Sequence, residues 1–105
     1  MKTFKEKVAV ITGAGSGMGR YLAVLLAKDG ADVCICDVNQ ETLDETAEML
    51  RKYNVSVSSH LLDVSDKESI ESLPQKVIDH HGKIDLVFNN ACLLYTSDAA
   101  DEAIG

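Results

Sequence analysis

Short apolar runs alternate with longer amphipathic stretches along this chain. "KVAVIT" (7–12) is a β-branched run ending in glycines, which predicts a strand buried on both faces. In "GMGRYLAVLLAKDG" (17–30), Tyr21, Leu22, Leu25 and Leu26 stand at helical spacing and Gly30 stops the helix. "ADVCICDV" (31–38) reads as a second buried strand. "NQETLDETAEMLRKYN" (39–54) reads as an amphipathic helix, capped by Asn39, with Leu43, Ala47 and Leu50 as its apolar stripe. "VSVSSHLLDV" (55–64) is a third strand, weakened by its serines. In "SDKESIESLPQKVIDHHG" (65–82), Ser65 is expected to cap a helix, with Glu68 completing a capping box. Pro74 predicts a kink or an interruption within that helix. "KIDLVFNNA" (83–91) is a fourth strand. The order β-α-β-α-β-α-β with short connections predicts an α/β fold: a parallel sheet with right-handed crossovers.

Chemistry concentrates where the first strand meets the first helix. "TGAGSGMG" puts glycines at Gly13, Gly15, Gly17 and Gly19. The spacing is not a strict G-x-G-x-x-G. The physical demands are nonetheless met. The backbone must turn where φ is positive and must approach a diphosphate closely, and both favour glycine. The helix start then offers free N–H groups and partial positive charge, and Ser16 adds a hydroxyl. Asp37 ends the second strand, at the place where a carboxylate grips the adenosine ribose of a dinucleotide. A 2′-phosphate beside it would meet like charge, and Val38 supplies no cation, so NAD is favoured over NADP.

With 105 residues the chain has room for one small domain. Net charge is −7, which argues against nucleic acid or an anionic membrane as the main partner. No apolar stretch approaches the roughly 20 residues of a membrane span. The N-terminal apolar run is also too short for a secretory signal, so a cytoplasmic location is expected. Cys34, Cys36 and Cys92 are expected to be reduced thiols, the first two sharing one strand face as core residues. His60 reads as a packed or edge residue, and His80 and His81 suit the C-terminal end of the third helix. No metal site is expected.

Taken together, three motifs resemble the short-chain dehydrogenase/reductase (SDR) family. "TGAGSGMG" is similar to its TGxxxGxG, with Gly13, Gly17 and Gly19 on the fixed glycines. "LDV" (62–64) resembles the segment whose aspartate meets the adenine, and "NNA" (89–91) resembles the start of NNAG. The resemblance covers residues 1–91 and implies the N-terminal half of an NAD(P)-binding Rossmann domain. It implies a partial Rossmann fold of four parallel strands in order 3-2-1-4 with three helices. In that order the first two helices share one face, the third covers the other, and the fourth strand is an apolar edge. An isolated chain of this kind is expected to be marginally stable or to associate.

Position by position, the resemblance implies that Gly13, Ser16, Gly17, Met18 and Gly19 line the diphosphate and that Asp37 holds the ribose. Asp63 is then expected to bond the adenine, with Val64 packed beside it, and Asn90 to lie near the nicotinamide-side ribose. The implied activity is NAD-dependent hydride transfer between nicotinamide and an alcohol or ketone, in a homo-oligomeric parent. A non-catalytic dinucleotide-binding module and a methyltransferase-like enzyme are the alternatives.

The family pattern breaks at Cys92, where glycine should follow. Tyr95 is followed four residues later by Ala99, so the family's Tyr-x-x-x-Lys pair is missing and no catalytic residue is assigned. "CLLYTSDAADE" (92–102) back-translates into a sequence resembling the transposon-end adapter of DNA sequencing libraries. Residues 92–105 are therefore expected to be a non-native tail on a truncated chain. Asp98, Asp101 and Glu102 lie in that tail. Without them 14 acidic residues face the same 10 basic ones, leaving −4.

Overall fold

The computed structural model describes residues 4–63 and 65–90. Seven elements follow the expected alternation: β1 (Val8–Thr12), α1 (Gly17–Lys28), β2 (Asp32–Asp37), α2 (Gln40–Leu50), β3 (Val57–Leu61), α3 (Lys67–His81) and β4 (Leu86–Asn89). All strand pairs are parallel and the sheet order is β3-β2-β1-β4. Register is set by the central pair, in which Val8 to Thr12 face Asp32 to Cys36.

The pleat divides the core in two. Ala9, Ile11, Val33 and Ile35 point to one face and pack with Ala23 and Leu26 of α1 and Leu43 and Leu50 of α2. Val8, Val10, Cys34 and Cys36 point to the other and pack with Leu73 and Val77 of α3. The two cysteines are completely buried, as expected of small core hydrophobes. A hydrogen bond from Cys34 and burial together push the Cys36 thiol far up, so it stays protonated at neutral pH. β4 is one of the two sheet edges, with Val87 64% exposed. Among the described residues no helix is long and apolar enough to cross a membrane.

Three local expectations are corrected. The buried side of α1 is Gly19, Ala23, Leu26 and Ala27, whereas Tyr21 and Leu25 are exposed. Small residues let this helix lie close on the sheet, so the bulky ones turn outward. The cap of α3 is Asp66, not Ser65: its side chain accepts the Glu68 amide at 3.1 Å. Ser65 is engaged elsewhere, donating its amide and hydroxyl to Asp63 Oδ1 at 2.9 and 2.6 Å. Finally, α3 runs unbroken through Pro74. Pro74 and Ile70, whose carbonyl loses its amide partner, are both exposed, so water can replace the missing bond. Asn39 caps α2 as expected, accepting the Thr42 amide at 3.2 Å.

The α3 face also carries a polar seam. Ser58 Oγ lies 2.8 Å from His81 Nε2, and the His80 and His81 rings meet edge to face with centroids 4.5 Å apart. Among the described residues, His60 Nε2 and His81 Nδ1 are buried without a hydrogen-bond partner. Burial lowers the pKa of both rings from 6.5. Lys76 and His80 push His60 the same way. His81 is lowered further by His80 and slightly by His60, against an opposing pull from Asp32. The fold therefore favours neutral rings, and the unfolded chain binds more protons. Stability is expected to be level above pH 6.5 and to fall as pH drops below it toward the lowered folded values. Urea midpoints at pH 8, 6.5 and 5.5 test this. His60→Leu should flatten the dependence in part, and an unchanged slope would rule His60 out as a source.

Candidate functional site

At the carboxyl end of the sheet, β1 delivers the chain into the glycine turn and α1 leaves it. The turn is tied to its neighbour strand by the Ala14 amide, which donates to the Cys36 carbonyl at 2.9 Å. Gly13 and Gly17 take positive φ, 67° and 57°, the conformation that favours glycine. Gly15 and Gly19 serve a different purpose, close approach. A Cβ on Gly15 would stand 2.5 Å from Thr42 Oγ1 and 2.7 Å from Asp37 Oδ2. A Cβ on Gly19 would collide with the Gly13 carbonyl. Beside Gly17, by contrast, no described residue comes within 4 Å of the position of a Cβ. Among the described residues nothing covers the mouth of α1, which forms a cradle faced by first-turn amides.

Asp37 lies against this cradle. Its Oδ2 accepts the Gly15 amide at 2.7 Å and its Oδ1 accepts the Val38 amide at 2.7 Å. Oδ1 also takes the Asn39 amide at 3.4 Å, so the carboxylate is fixed in orientation while Oδ2 keeps further acceptor capacity. From the other side, Asn90 Nδ2 donates to the Gly13 carbonyl at 3.4 Å. Ser16 is the N-cap residue of α1, makes no capping bond with its side chain, and is exposed together with Met18. The expected residues Gly13, Ser16, Gly17, Met18, Gly19, Asp37 and Asn90 therefore meet at one end of the sheet.

Asp63 follows β3 at that same end, where the Leu62 amide donates to the Asp37 carbonyl at 2.8 Å. Its carboxylate bonds Ser65 rather than the turn, and those bonds hold its pKa below 3.8, so it is ionised at neutral pH. Val64, Cys92, Tyr95 and the tail lie outside the described residues.

The sequence assigned no structural role to four contributors, of which Thr12 and Asn89 stood inside the quoted motifs. Arg20 and Thr46 bind the turn to α2, with Thr46 Oγ1 donating to the Ala14 carbonyl at 2.8 Å. Thr12 Oγ1 donates to Asn89 Oδ1 at 3.0 Å, bracing the turn against β4. One signal was visible: Arg20 puts a cation near the start of a helix, against the dipole, so it needed another reason to be there.

The sequence model described as "short chain dehydrogenase" matches residues 7–104. The uncharacterized oxidoreductase YxbG of Bacillus subtilis is 41% identical over 91 residues, covering 87% of this chain and 33% of YxbG. Among solved structures, NAD+-bound xylitol dehydrogenase superposes with a TM-score of 0.82 at 33% identity, over 93% of this chain and 41% of that one. A short-chain dehydrogenase/reductase from Burkholderia phymatum in complex with NAD gives a TM-score of 0.77 at 37% identity, over 83% of this chain and 31% of that one. The chain spans between 15% and 36% of the length of the curated relatives it matches. With the family model matching residues 7–104 and YxbG 41% identical over 91 residues, the chain belongs to the short-chain dehydrogenase family.

Proposed function

We propose that this chain is the cofactor-binding half of an NAD-dependent oxidoreductase acting on an alcohol or ketone. The observation that carries the reading is the Asp37 carboxylate, locked by the Gly15 amide at 2.7 Å beside the open mouth of α1. That pairing joins a site for sugar hydroxyls to a site for phosphate oxygens. The residues fit a dinucleotide. First-turn amides from Gly17 onward face the diphosphate, and Gly13 lets the chain turn beneath it. Asp37 accepts the ribose hydroxyls. Asp63, with Val64, serves the adenine, and Asn90 stands on the nicotinamide side.

Bound NAD supplies the hydride acceptor; this chain's own residues bind and orient it. NADP is disfavoured because its 2′-phosphate would face Asp37 while Val38, 60% exposed, offers no countercharge. The Arg20 guanidinium is already committed to Gly15, Thr42, Thr46 and Glu45. No described residue supplies the acid–base pair that hydride transfer requires, so the chain alone is read as inactive. A cytoplasmic setting and a homo-oligomeric parent belong to the same reading.

Calorimetric titration of the chain with NAD+, NADP+ and S-adenosylmethionine tests it. Saturable NAD+ binding, tighter than NADP+ and without turnover of added alcohols, is expected. Uptake of S-adenosylmethionine with no response to NAD+ would move the chain to a different chemistry.

A further inference from the structure

Gly15 is gripped at both of its polar groups. Its amide goes to Asp37 Oδ2, and its carbonyl accepts from Arg20 Nη2 at 2.6 Å. The same Arg20 nitrogen reaches the Thr42 carbonyl at 3.1 Å, and Arg20 Nε donates to Thr46 Oγ1 at 2.8 Å. Thr46 is fully buried, and its hydroxyl passes the connection back to the Ala14 carbonyl. One guanidinium therefore bonds the turn and α2 at once. The ion pair with Glu45 at 3.1 Å adds little, because Glu45 is mostly exposed. The bonds to carbonyls and to the buried hydroxyl are charge-assisted and geometrically restrictive, and lysine could not reproduce them.

We propose that Arg20 is a positioning residue for the dinucleotide: by strapping the Gly15 carbonyl to Thr42 and Thr46 of α2, it sets the spacing between the first-turn amides of α1 and the Asp37 carboxylate. The proposal rests on the dinucleotide reading above and adds to it the device that keeps the two half-sites at one separation. A ligand spanning both half-sites depends on that separation, whereas a ligand filling only one does not. Thr46 is the second member of the strap.

The test compares ADP-ribose, which spans diphosphate and ribose, with adenosine, which lacks the diphosphate. Both are titrated into the 105-residue chain and followed by backbone amide NMR. Arg20→Lys is expected to weaken ADP-ribose by about tenfold or more while adenosine changes by no more than about twofold. Thr46→Val should show the same selective loss, and Thr46→Ser, which keeps the hydroxyl, should recover it. Without ligand, the Ala14 and Gly15 amides should exchange faster in Arg20→Lys. Equal losses for the two ligands, no loss for either, or unchanged amide exchange each overturn the strap. A wild-type chain that takes up neither ligand overturns the dinucleotide reading, and the strap's purpose with it. Binding by the wild type with an unaltered ADP-ribose to adenosine ratio in both variants overturns the strap alone.

Discussion

Gly19→Ala is expected to lose NAD+ binding at concentrations that saturate the wild type, and to destabilise the fold by about 1–3 kcal/mol or more. The added methyl group meets the Gly13 carbonyl, which is backbone and cannot step aside as a flexible side chain would. Relief requires α1 to lift from the turn. That lifts its first-turn amides from their place and disturbs the buried contacts of Ala23 and Leu26 in the same helix. Gly17→Ala is the proper comparison. Its φ of 57° is unfavourable for alanine by about 1–2 kcal/mol, but nothing lies within reach of the new Cβ. Urea denaturation and NAD+ calorimetry on the two variants separate close approach from backbone strain. Gly19→Ala must be the worse in binding; the reverse order would mean that the turn does not cradle the diphosphate as described.

Asp37→Ala carries the second large effect, and it acts twice. The ribose loses its charged acceptor, and each hydrogen bond to such a group contributes about 1.5–3 kcal/mol. The Gly15 amide also loses its 2.7 Å partner, so the turn is released where Asp37 held it. NAD+ affinity is expected to fall by about 10- to 100-fold. NADP+ should be affected far less, because the like charge that opposed its 2′-phosphate has gone. The quantity to measure is the NAD+ to NADP+ affinity ratio at fixed ionic strength, before and after substitution. A ratio that stays constant would remove Asp37 from the ribose site, even if both affinities fell.

β1 and β2 were legible because they are buried on both faces and therefore continuously apolar, as in Val8 to Ile11 and Val33 to Cys36, whereas β3 and β4 are only partly buried and were read from their place in the alternation. The amphipathic stretches between them could then only be crossovers. Legibility failed where two residues competed for one task. Ser65 and Asp66 are both good caps, and only the geometry of Asp63 decides that Ser65 turns away. On α1 the periodicity of large side chains misled, because the sheet accepts Ala23 and Ala27 and leaves Tyr21 in solvent. In the site, glycine spacing and Asp37 were readable because they depend on local backbone. Arg20, Thr46 and Asn89 were not. Their partners are separated from them in sequence and become neighbours only when α2 packs beside α1, and β4 beside β1.

The bracing of the turn by β4 has a kinetic consequence. Thr12 and Asn89, like Gly13 and Asn90, are 77 residues apart in the chain. The contacts that join β1 to β2 span about a third of that separation, and the longer closure adds roughly 1 kcal/mol of chain entropy. Folding of the half built from β1, α1 and β2 can therefore run ahead, leaving a turn already bent but still lacking its far wall. Nucleotide added during refolding should reward the steps that complete the site, the packing of α2 against α1 and the docking of β4, and leave the earlier pairing of β1 with β2 at its own pace.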